Sequence, residues 1–279
     1  MPPRRRRKTK YKKHYHILFI LFLIVAVTFF LYEESSKEDL EGKKDPKPEV
    51  SRQVQPEEIA EHIPKVAIVI DDLGHSKKAA LKVFDIKAPL TLSIFPHKTY
   101  TKWIAEQGHR LGYDVIGHIP MEASKPYRLD KGGLYTWMTD YEIHETLKEA
   151  LDSIPYIKGV SNHMGSAFTK DERTMYAAIS VLKEYGLFFL DNFTTPESAG
   201  MKLAAEEKVK TLKRDIFLDY KDSPDYIEAR WEELIKLARG KGYAIAIAHP
   251  KKNTVEFLKN ALPSNEVTVV PLSELISSD

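Results

Sequence analysis

The sequence contains no cysteine among its 279 residues. Disulfide bonds, thiolate nucleophiles and thiolate metal ligands are therefore excluded. Any metal ion has to be held by histidine and carboxylate side chains. The cellular compartment has to be inferred from targeting signals, because there is no disulfide framework to indicate it.

Several short signatures are also missing. No GxGxxG fingerprint and no P-loop occur, which argues against a nucleotide cofactor. The GxSxG turn that exposes a nucleophilic serine in α/β-hydrolases is absent as well. No covalent mechanism that starts from serine, threonine or cysteine is therefore supported.

An excess of positive charge is missing from most of the chain. The formal net charge is only +2, and eight basic residues lie within the first thirteen positions: Arg4, Arg5, Arg6, Arg7, Lys8, Lys10, Lys12 and Lys13. The remainder is acidic overall, so it has no electrostatic reason to bind nucleic acid. The basic cluster as a nucleic-acid-binding arm is the disfavoured alternative.

One apolar run follows the basic cluster, and it reads ILFILFLIVAVTFFLY over residues 17–32. Its sixteen residues are slightly fewer than the 17–25 that usually span a bilayer, but Tyr15 and His16 can extend it at the interface. Acidic residues follow the run where a cleavage site would need small ones. The pattern predicts a retained single-pass anchor in the cytoplasmic membrane, with residues 1–16 in the cytoplasm. A buried core helix is the alternative.

Residues 33–63 and 64–279 differ in composition. The first segment is rich in Glu, Lys, Pro and Ser, as a solvated linker is, and it would hold the main domain outside the membrane. Hydrophobic residues make up 43% of the whole chain, which is sufficient for a buried core. A single folded domain over residues 64–279 is predicted.

Within that domain, short apolar runs alternate with segments of helical period. The predicted strands are 66–70, 90–95, 114–118, 159–162, 187–191, 215–219, 244–249 and 267–271. The predicted helices lie near 76–86, 99–111, 140–154, 170–185, 196–207, 224–241 and 252–261. This alternation predicts an α/β fold with a mostly parallel sheet, either barrel-like or open. The carboxyl ends of the strands then share one face, where α/β proteins build their sites.

Polar side chains recur at those carboxyl ends. They are Asp71, Asp72, His97 after Pro96, His118 with Glu122, Asn162, His163, Asp191, Asn192 and His249. Imidazole and carboxylate groups are the ligand set that suits zinc and similar cations. A single histidine at a strand end usually has no such role, but the recurrence predicts a metal site.

These residues lie in motifs that resemble the divergent branch of the polysaccharide deacetylase superfamily. The motifs are VAIVIDDLG, GHIPME, NHMGSAFT, LFFLDNFTT, RDIFLD and IAIAHP, in that order over residues 64–275. The resemblance implies an irregular (β/α) barrel that uses a divalent metal, most simply zinc, to hydrolyse acetyl groups on a polysaccharide or on peptidoglycan.

The resemblance also implies residue roles. Asp71 corresponds to the general base and Asp72 to a metal ligand, and neighbouring side chains at a regular strand end would point to opposite sides. His118 corresponds to a second ligand, and Glu122 falls where the family places another histidine. Glu122 is either a ligand or a residue that supports one. His163 is expected to replace the missing ligand or to contact substrate. The alternative for the aspartate pair is a cap on the next helix.

The last motif places His249 as the general acid that protonates the leaving group. Asn162 and Asp191 are the predicted substrate-binding residues. Two other functions stay open: a catalytically silent module that binds a glycan or an envelope protein partner, and a metal phosphoesterase. The phosphoesterase is disfavoured because only Arg214 among the motif residues could meet a phosphate.

Overall fold

The computed structural model describes residues 63–262 and 266–276. The chain divides into two units at Ala60, and every described element belongs to the second unit, residues 60–279. The predicted cytoplasmic segment, membrane anchor and linker lie outside the described residues, apart from Ile63 at the linker's end. Among the residues that are described, no helix is long and apolar enough to cross a membrane.

The described part of the chain contains nine strands and eight helices. The strands are β1 (Lys65–Leu73), β2 (Thr91–Ile94), β3 (Asp114–Met121), β4 (Gly159–Met164), β5 (Phe188–Asp191), β6 (Thr211–Lys213), β7 (Ile216–Phe217), β8 (Tyr243–Ala248) and β9 (Thr268–Val269). The helices are α1 (Lys77–Phe84), α2 (Thr101–Arg110), α3 (Asp140–Asp152), α4 (Glu172–Glu184), α5 (Gly200–Glu206), α6 (Pro224–Lys241), α7 (Lys252–Ala261) and α8 (Leu272–Ile276).

Local sequence signals set several helix ends. Thr139 and Glu142 form a reciprocal capping box at the start of α3, in which two backbone N–H groups without helical partners find acceptors. Helix α6 begins with a proline in its first turn and ends at Gly242, whose φ of +87° a side chain would disfavour. These signals fix where the two helices begin or end.

All strand pairs in the sheet are parallel, and the order is β6-β5-β4-β3-β2-β1-β8-β7, with β9 also paired to β1. The edge strands β6 and β7 are consecutive in the chain. Only residues 214 and 215 separate them, so the two edges of the sheet lie close together in space and the sheet is curled.

The two faces of the curled sheet carry different side chains. Strand β8 shows this clearly. Ile245 and Ile247 belong to the cluster inside the curl, while Ala244, Ala246 and Ala248 pack in the cluster that contains residues of α6. The inner cluster, here called the inner core, consists of Ala67, Val69, Ile116, Phe188, Leu190, Leu212, Ile245, Ile247, Val270, Leu272 and Leu275. Inner-facing positions follow a period of two along each strand.

The amino ends of the strands are closed by β9 and α8. Leu272 and Leu275 pack into the inner core from this side. The backbone N–H of Leu272 donates to Thr91 Oγ1 over 3.0 Å, and that of Ser273 donates to Asp114 Oδ2 over 2.8 Å. The opposite end, where the strands finish, is therefore the end that can hold a site.

The predicted α/β architecture with a parallel sheet is confirmed, and all seven predicted helices are present. The sequence-based prediction missed β6 and α8, which have only three and five residues. It also made the strand at 215–219 too long, since only Ile216–Phe217 pairs with β8. Short segments like these carry too few residues to show a period.

Candidate functional site

An irregularity at the end of β1 places two neighbouring carboxylates. The register with β2 shifts between Ile70 and Leu73, which is the signature of a β-bulge. Asp72 has a left-handed backbone with φ of +61°, a conformation that aspartate tolerates better than most residues. The prediction that the two carboxylates point to opposite sides is wrong, because the bulge brings both to His118. Oδ1 of Asp71 lies 3.5 Å from His118 Nδ1, and Oδ1 of Asp72 lies 3.2 Å from Nε2.

His118 continues the inner-facing series of β3 after Ile116, and its ring is buried. Its Nδ1 lies 2.8 Å from Ser161 Oγ, which in turn lies 2.9 Å from Ser93 Oγ. A proton held on Nδ1 and donated to Ser161 leaves the lone pair of Nε2 facing Asp72. That is the tautomer that a metal ligand needs.

Three ligand atoms converge at this point. His118 Nε2 lies 3.0 Å from His163 Nδ1, and Asp72 Oδ1 lies 3.2 Å and 3.3 Å from these two nitrogens. A tetrahedral ion about 2.0–2.1 Å from each ligand requires ligand atoms about 3.3 Å apart. Asp72 Oδ1 is buried and has no hydrogen-bond partner in the described part of the chain. The three residues therefore fit a divalent metal ion, and we call them the ligand triad.

Phe95 supports the ligand triad from one side. Its ring centroid lies 4.9 Å from that of His118 and 4.8 Å from that of His163, in tilted and edge-on arrangements. Such contacts restrict the imidazole rotamers and keep water from that side of the rings. The two histidines are thereby held in one orientation.

The charge state of Asp72 suits a ligand. Burial raises the pKa of this carboxyl, but the neighbouring imidazoles of His118, His163 and His249 lower it by more. The pKa of Asp72 therefore lies far below its ordinary value of 3.8, and the group is ionised at physiological pH.

Asp71 is buried beside the triad at the end of the inner-facing series of β1. Its Oδ2 accepts a hydrogen bond from Asn192 Nδ2 over 2.9 Å, whereas its Oδ1 forms no hydrogen bond with a described residue, because His118 Nδ1, 3.5 Å away, is bonded to Ser161. One carboxylate oxygen is thus fixed by the protein. The other is available to a molecule in the site.

His249 follows β8, the strand next to β1, and lines the same cavity as Asp71. Its Nδ1 lies 2.7 Å from Asp219 Oδ1, its backbone N–H donates to Asp219 Oδ2 over 2.8 Å, and Thr254 Oγ1 donates to the same oxygen over 2.8 Å. The other ring nitrogen, Nε2, lies 3.8 Å from Asp72 Oδ2. Asp219 therefore holds the ring so that Nε2 faces the metal ligand.

The fully buried carboxylate of Asp219 also changes the protonation of His249. Burial lowers the pKa of His249, but the hydrogen bond and negative charge of Asp219, helped by Asp71 and Asp72, raise it above its ordinary value of 6.5. The pKa of Asp219 is lowered, because bonding to His249 and Thr254 outweighs burial. Asp219 thus favours the protonated form of the imidazole, which is the form that a general acid requires.

Several of these groups line one cavity of about 260 Å³. Its lining consists of Asp71, His118, Asn162, His163, Met164, Asn192, Thr194, Phe217, Tyr220, His249 and Lys251. A larger and more open depression of about 710 Å³ runs along α1, but it contains none of the ligand triad, Asp71 or His249. The chemistry therefore belongs to the smaller cavity.

Glu122 lies outside the ligand triad. Its Oε2 accepts hydrogen bonds from the backbone N–H and from Oγ1 of Thr136, both over 2.6 Å. Its backbone carbonyl accepts from Ala167 and Phe168. The structure thus places this carboxylate in the loop between β3 and α3, and its role as a metal ligand stays a prediction.

The two predicted substrate-binding residues lie at the same rim with their polar atoms already bonded. Asn162 Oδ1 accepts from the backbone N–H of Asn192 over 2.9 Å, and its Nδ2 donates to Met164 O over 2.7 Å. Asp191 accepts from Phe193 N–H and from Ser198 Oγ. Burial raises the pKa of Asp191 above 3.8 against these hydrogen bonds. Asn162 lines the cavity and Asp191 is not among its lining residues.

Sequence reasoning overlooked several residues of the site. Asp219 stands two residues beyond β7, at the end of the RDIFLD motif, and this strand-end position could have identified it. Ser161 carried no such signal, because only the neighbouring strand β3 shows that it meets His118. Phe95 would have been read as a core residue.

Comparison with known proteins supports the resemblance to divergent polysaccharide deacetylases. A family model described as divergent polysaccharide deacetylase matches residues 68–276. The chain is 32% identical over 216 residues to the uncharacterized protein YibQ of Escherichia coli (strain K12), covering 76% of this chain and 67% of that protein. An uncharacterized protein of Haemophilus influenzae is 33% identical over 198 residues, 71% of each chain.

A crystal structure of the uncharacterized protein ATU2773 from Agrobacterium tumefaciens C58 has a similar fold, with a TM-score of 0.73 at 21% identity. The similarity covers 76% of this chain and 89% of that one. This likeness concerns the fold alone. Because the family model matches most of the chain and includes every site residue described above, the protein belongs to the divergent polysaccharide deacetylase family.

Proposed function

We propose that this protein is a metal-dependent hydrolase that removes acetyl groups from an envelope or extracellular polysaccharide. One observation carries the proposal: two residues of the ligand triad, His118 and His163, line the same cavity as the buried carboxylate of Asp71 and the oriented imidazole of His249. Neighbouring strand ends supply these groups, as expected for an active site of an α/β protein.

The proposed metal ligands are Asp72, His118 and His163, and zinc suits two imidazoles with one carboxylate. A divalent cation held there would polarise the acetyl carbonyl and lower the pKa of a water molecule. Glu122 then has a different task, which is to hold the loop around Thr136.

The protein's own groups manage the protons. Asp71 presents its unpaired Oδ1 to the cavity and accepts a proton from the attacking water as that oxygen bonds to the acetyl carbon. His249, protonated beside Asp219, donates the Nε2 proton to the leaving nitrogen or oxygen as its bond to the acetyl carbon breaks. The products are acetate and the free amine or hydroxyl of the sugar.

The mouth of the cavity offers a surface for a sugar ring. Tyr220 is 77% exposed and lines the cavity together with Phe217. Aromatic rings at a polar rim combine an apolar face with hydrogen-bonding groups, as sugars require. An acetylated polysaccharide or peptidoglycan strand is the substrate class that matches this mouth.

The proposed location is the outer face of the cytoplasmic membrane, with the apolar run at 17–32 as a single-pass anchor and residues 1–16 in the cytoplasm. The full-length chain should then fractionate with membranes. A reporter fused after Asp279 that works only in the cytoplasm would contradict this topology. So would a mature amino terminus found between residues 30 and 40.

The function is tested by incubating the metal-loaded full-length protein with acetylated peptidoglycan, chitin and xylan fragments and measuring released acetate. Release from at least one of them supports the hydrolase. Binding of a glycan without any release of acetate would instead favour the silent binding module. A phosphoesterase would be recognised by release of phosphate from a phosphorylated glycan and no acetate from any acetylated one.

A further inference from the structure

Asn192 is a rigid residue of the cavity wall. It follows β5 directly and is only 3% exposed. Its backbone N–H donates to Asn162 Oδ1 over 2.9 Å, and its backbone carbonyl accepts from Arg214 Nε over 2.8 Å. With both backbone groups bonded, the side chain has little freedom to move.

The orientation of its amide is determined by Asp71. Nδ2 of Asn192 donates a hydrogen bond to Asp71 Oδ2 over 2.9 Å, and an amide nitrogen is a donor only. The NH₂ group therefore has to face Asp71, and the amide oxygen has to face away from it. This settles which hydrogen-bonding group Asn192 offers on its other side.

That oxygen, Asn192 Oδ1, is buried and finds no donor among the described residues. Buried polar atoms in folded proteins nearly always have a partner, so an orphaned acceptor in a cavity wall indicates a donor that arrives with a ligand. Asp71 Oδ1 and Asp72 Oδ1 also lack a hydrogen bond from the described residues, but the proposed mechanism already uses both.

We infer that Asn192 Oδ1 accepts the N–H of the substrate's acetamido group, so that the site selects N-acetyl sugars over O-acetyl esters. An acetamide carries one N–H donor next to its carbonyl, whereas an acetate ester has only an oxygen acceptor at that position. An ester oxygen would leave Asn192 Oδ1 without a donor and face it with a second acceptor. This inference rests on the proposed function and names its substrate class.

Asn192 also positions Asp71 through its Nδ2 contact. Losing this contact and losing the Oδ1 contact to the substrate should change the reaction rates in different ways. The Nδ2 contact holds the general base, so its loss slows amides and esters equally. The Oδ1 contact meets only the amide, so its loss changes the ratio between them. Sites that hydrogen-bond a substrate N–H or O–H discriminate against analogues lacking it by up to about 10⁴–10⁵-fold.

The test uses two matched ligands, the methyl glycosides of N-acetylglucosamine and of 2-O-acetylglucose, which differ by N–H against O at the bond to be cleaved. Dissociation constants are measured by calorimetry on zinc-loaded full-length protein, and acetate release is measured in parallel. Wild-type protein should bind the amide at least about 10-fold more tightly than the ester. Asn192→Ala should bring this ratio close to one.

Thr194→Ala is the matched control. Thr194 lines the same cavity, but its Oγ1 is already bonded to Met164 O over 2.9 Å, so the amide-to-ester ratio should stay as in wild type. A wild-type preference below about 2-fold overturns the inference without any variant. An unchanged ratio in folded Asn192→Ala also overturns it. The proposed function would fail separately from this inference. In that case the protein binds the amide more tightly than the ester in a way that depends on Asn192, but releases no acetate.

Discussion

Replacing Ser161 by alanine tests how the structure prepares His118 as a metal ligand. Ser161 Oγ joins His118 Nδ1 over 2.8 Å to Ser93 Oγ over 2.9 Å, and both serines are fully buried. Ser161→Ala therefore removes two buried hydrogen bonds and leaves both His118 Nδ1 and Ser93 Oγ without this partner. Each group left unpaired costs about 1–3 kcal/mol, unless it finds another partner.

One such partner lies close by. Asp71 Oδ1 is 3.5 Å from His118 Nδ1, so the imidazole can turn toward this carboxylate when Ser161 is removed. The turn relieves part of the penalty, and we expect the free energy of unfolding of the metal-free protein to fall by about 2 kcal/mol. It also misdirects Nε2. Loss of a residue that orients a metal-bound histidine typically lowers metal affinity about 10–100-fold.

The assay is competition for zinc with a chromophoric chelator, combined with urea unfolding of the metal-free protein. Ser93→Ala is the matched control, since it removes the 2.9 Å bond but keeps Ser161 on His118, and it should lower metal affinity much less. A Ser161→Ala protein that binds zinc within about 2-fold of wild type would refute the reasoning. It would mean that the ring needs no such support.

Other substitutions separate the roles of the remaining groups. His163→Ala should lower zinc affinity at least about 100-fold, and Glu122→Ala should lower it far less. Both affinities are measured by chelator competition, and a greater loss in Glu122→Ala would make Glu122 the ligand. Asp71→Asn should slow acetate release about 10²–10⁴-fold with stoichiometric zinc retained, and an unchanged rate would exclude it as the base. His249 should lose its proton, and activity should decline, at a pH above 6.5, because its pKa is raised. Asp219→Asn should move the alkaline limb of the kcat/KM profile to lower pH, and an unmoved limb would exclude His249 as the acid.

The regular part of the fold could be predicted because buried parallel strands leave a strong signal. Runs such as residues 66–70 and 244–248 are apolar on both faces, since one face meets the inner core and the other meets the helices. β6 and α8 could not be predicted, because their pairing and packing depend on neighbours distant in sequence.

At the site, residue types were predictable and orientations were not. The recurrence of His and Asp at strand ends located Asp72, His118 and His163 before any geometry was known. The bulge in β1 has no marker in the sequence, so the convergence of both aspartates on His118 could not be anticipated. Glu122 matched a spacing, but its partner Thr136 comes from a loop whose path no local pattern predicts.

The central claim is that acetyl removal depends on a cation held by Asp72, His118 and His163. The most direct measurement adds zinc in steps to chelator-treated full-length protein and records acetate release from an N-acetylated glycan at each step. No release is expected without metal, and release should rise until it saturates at one zinc ion per chain. Equal release without metal, or none at one equivalent of bound zinc, would contradict it.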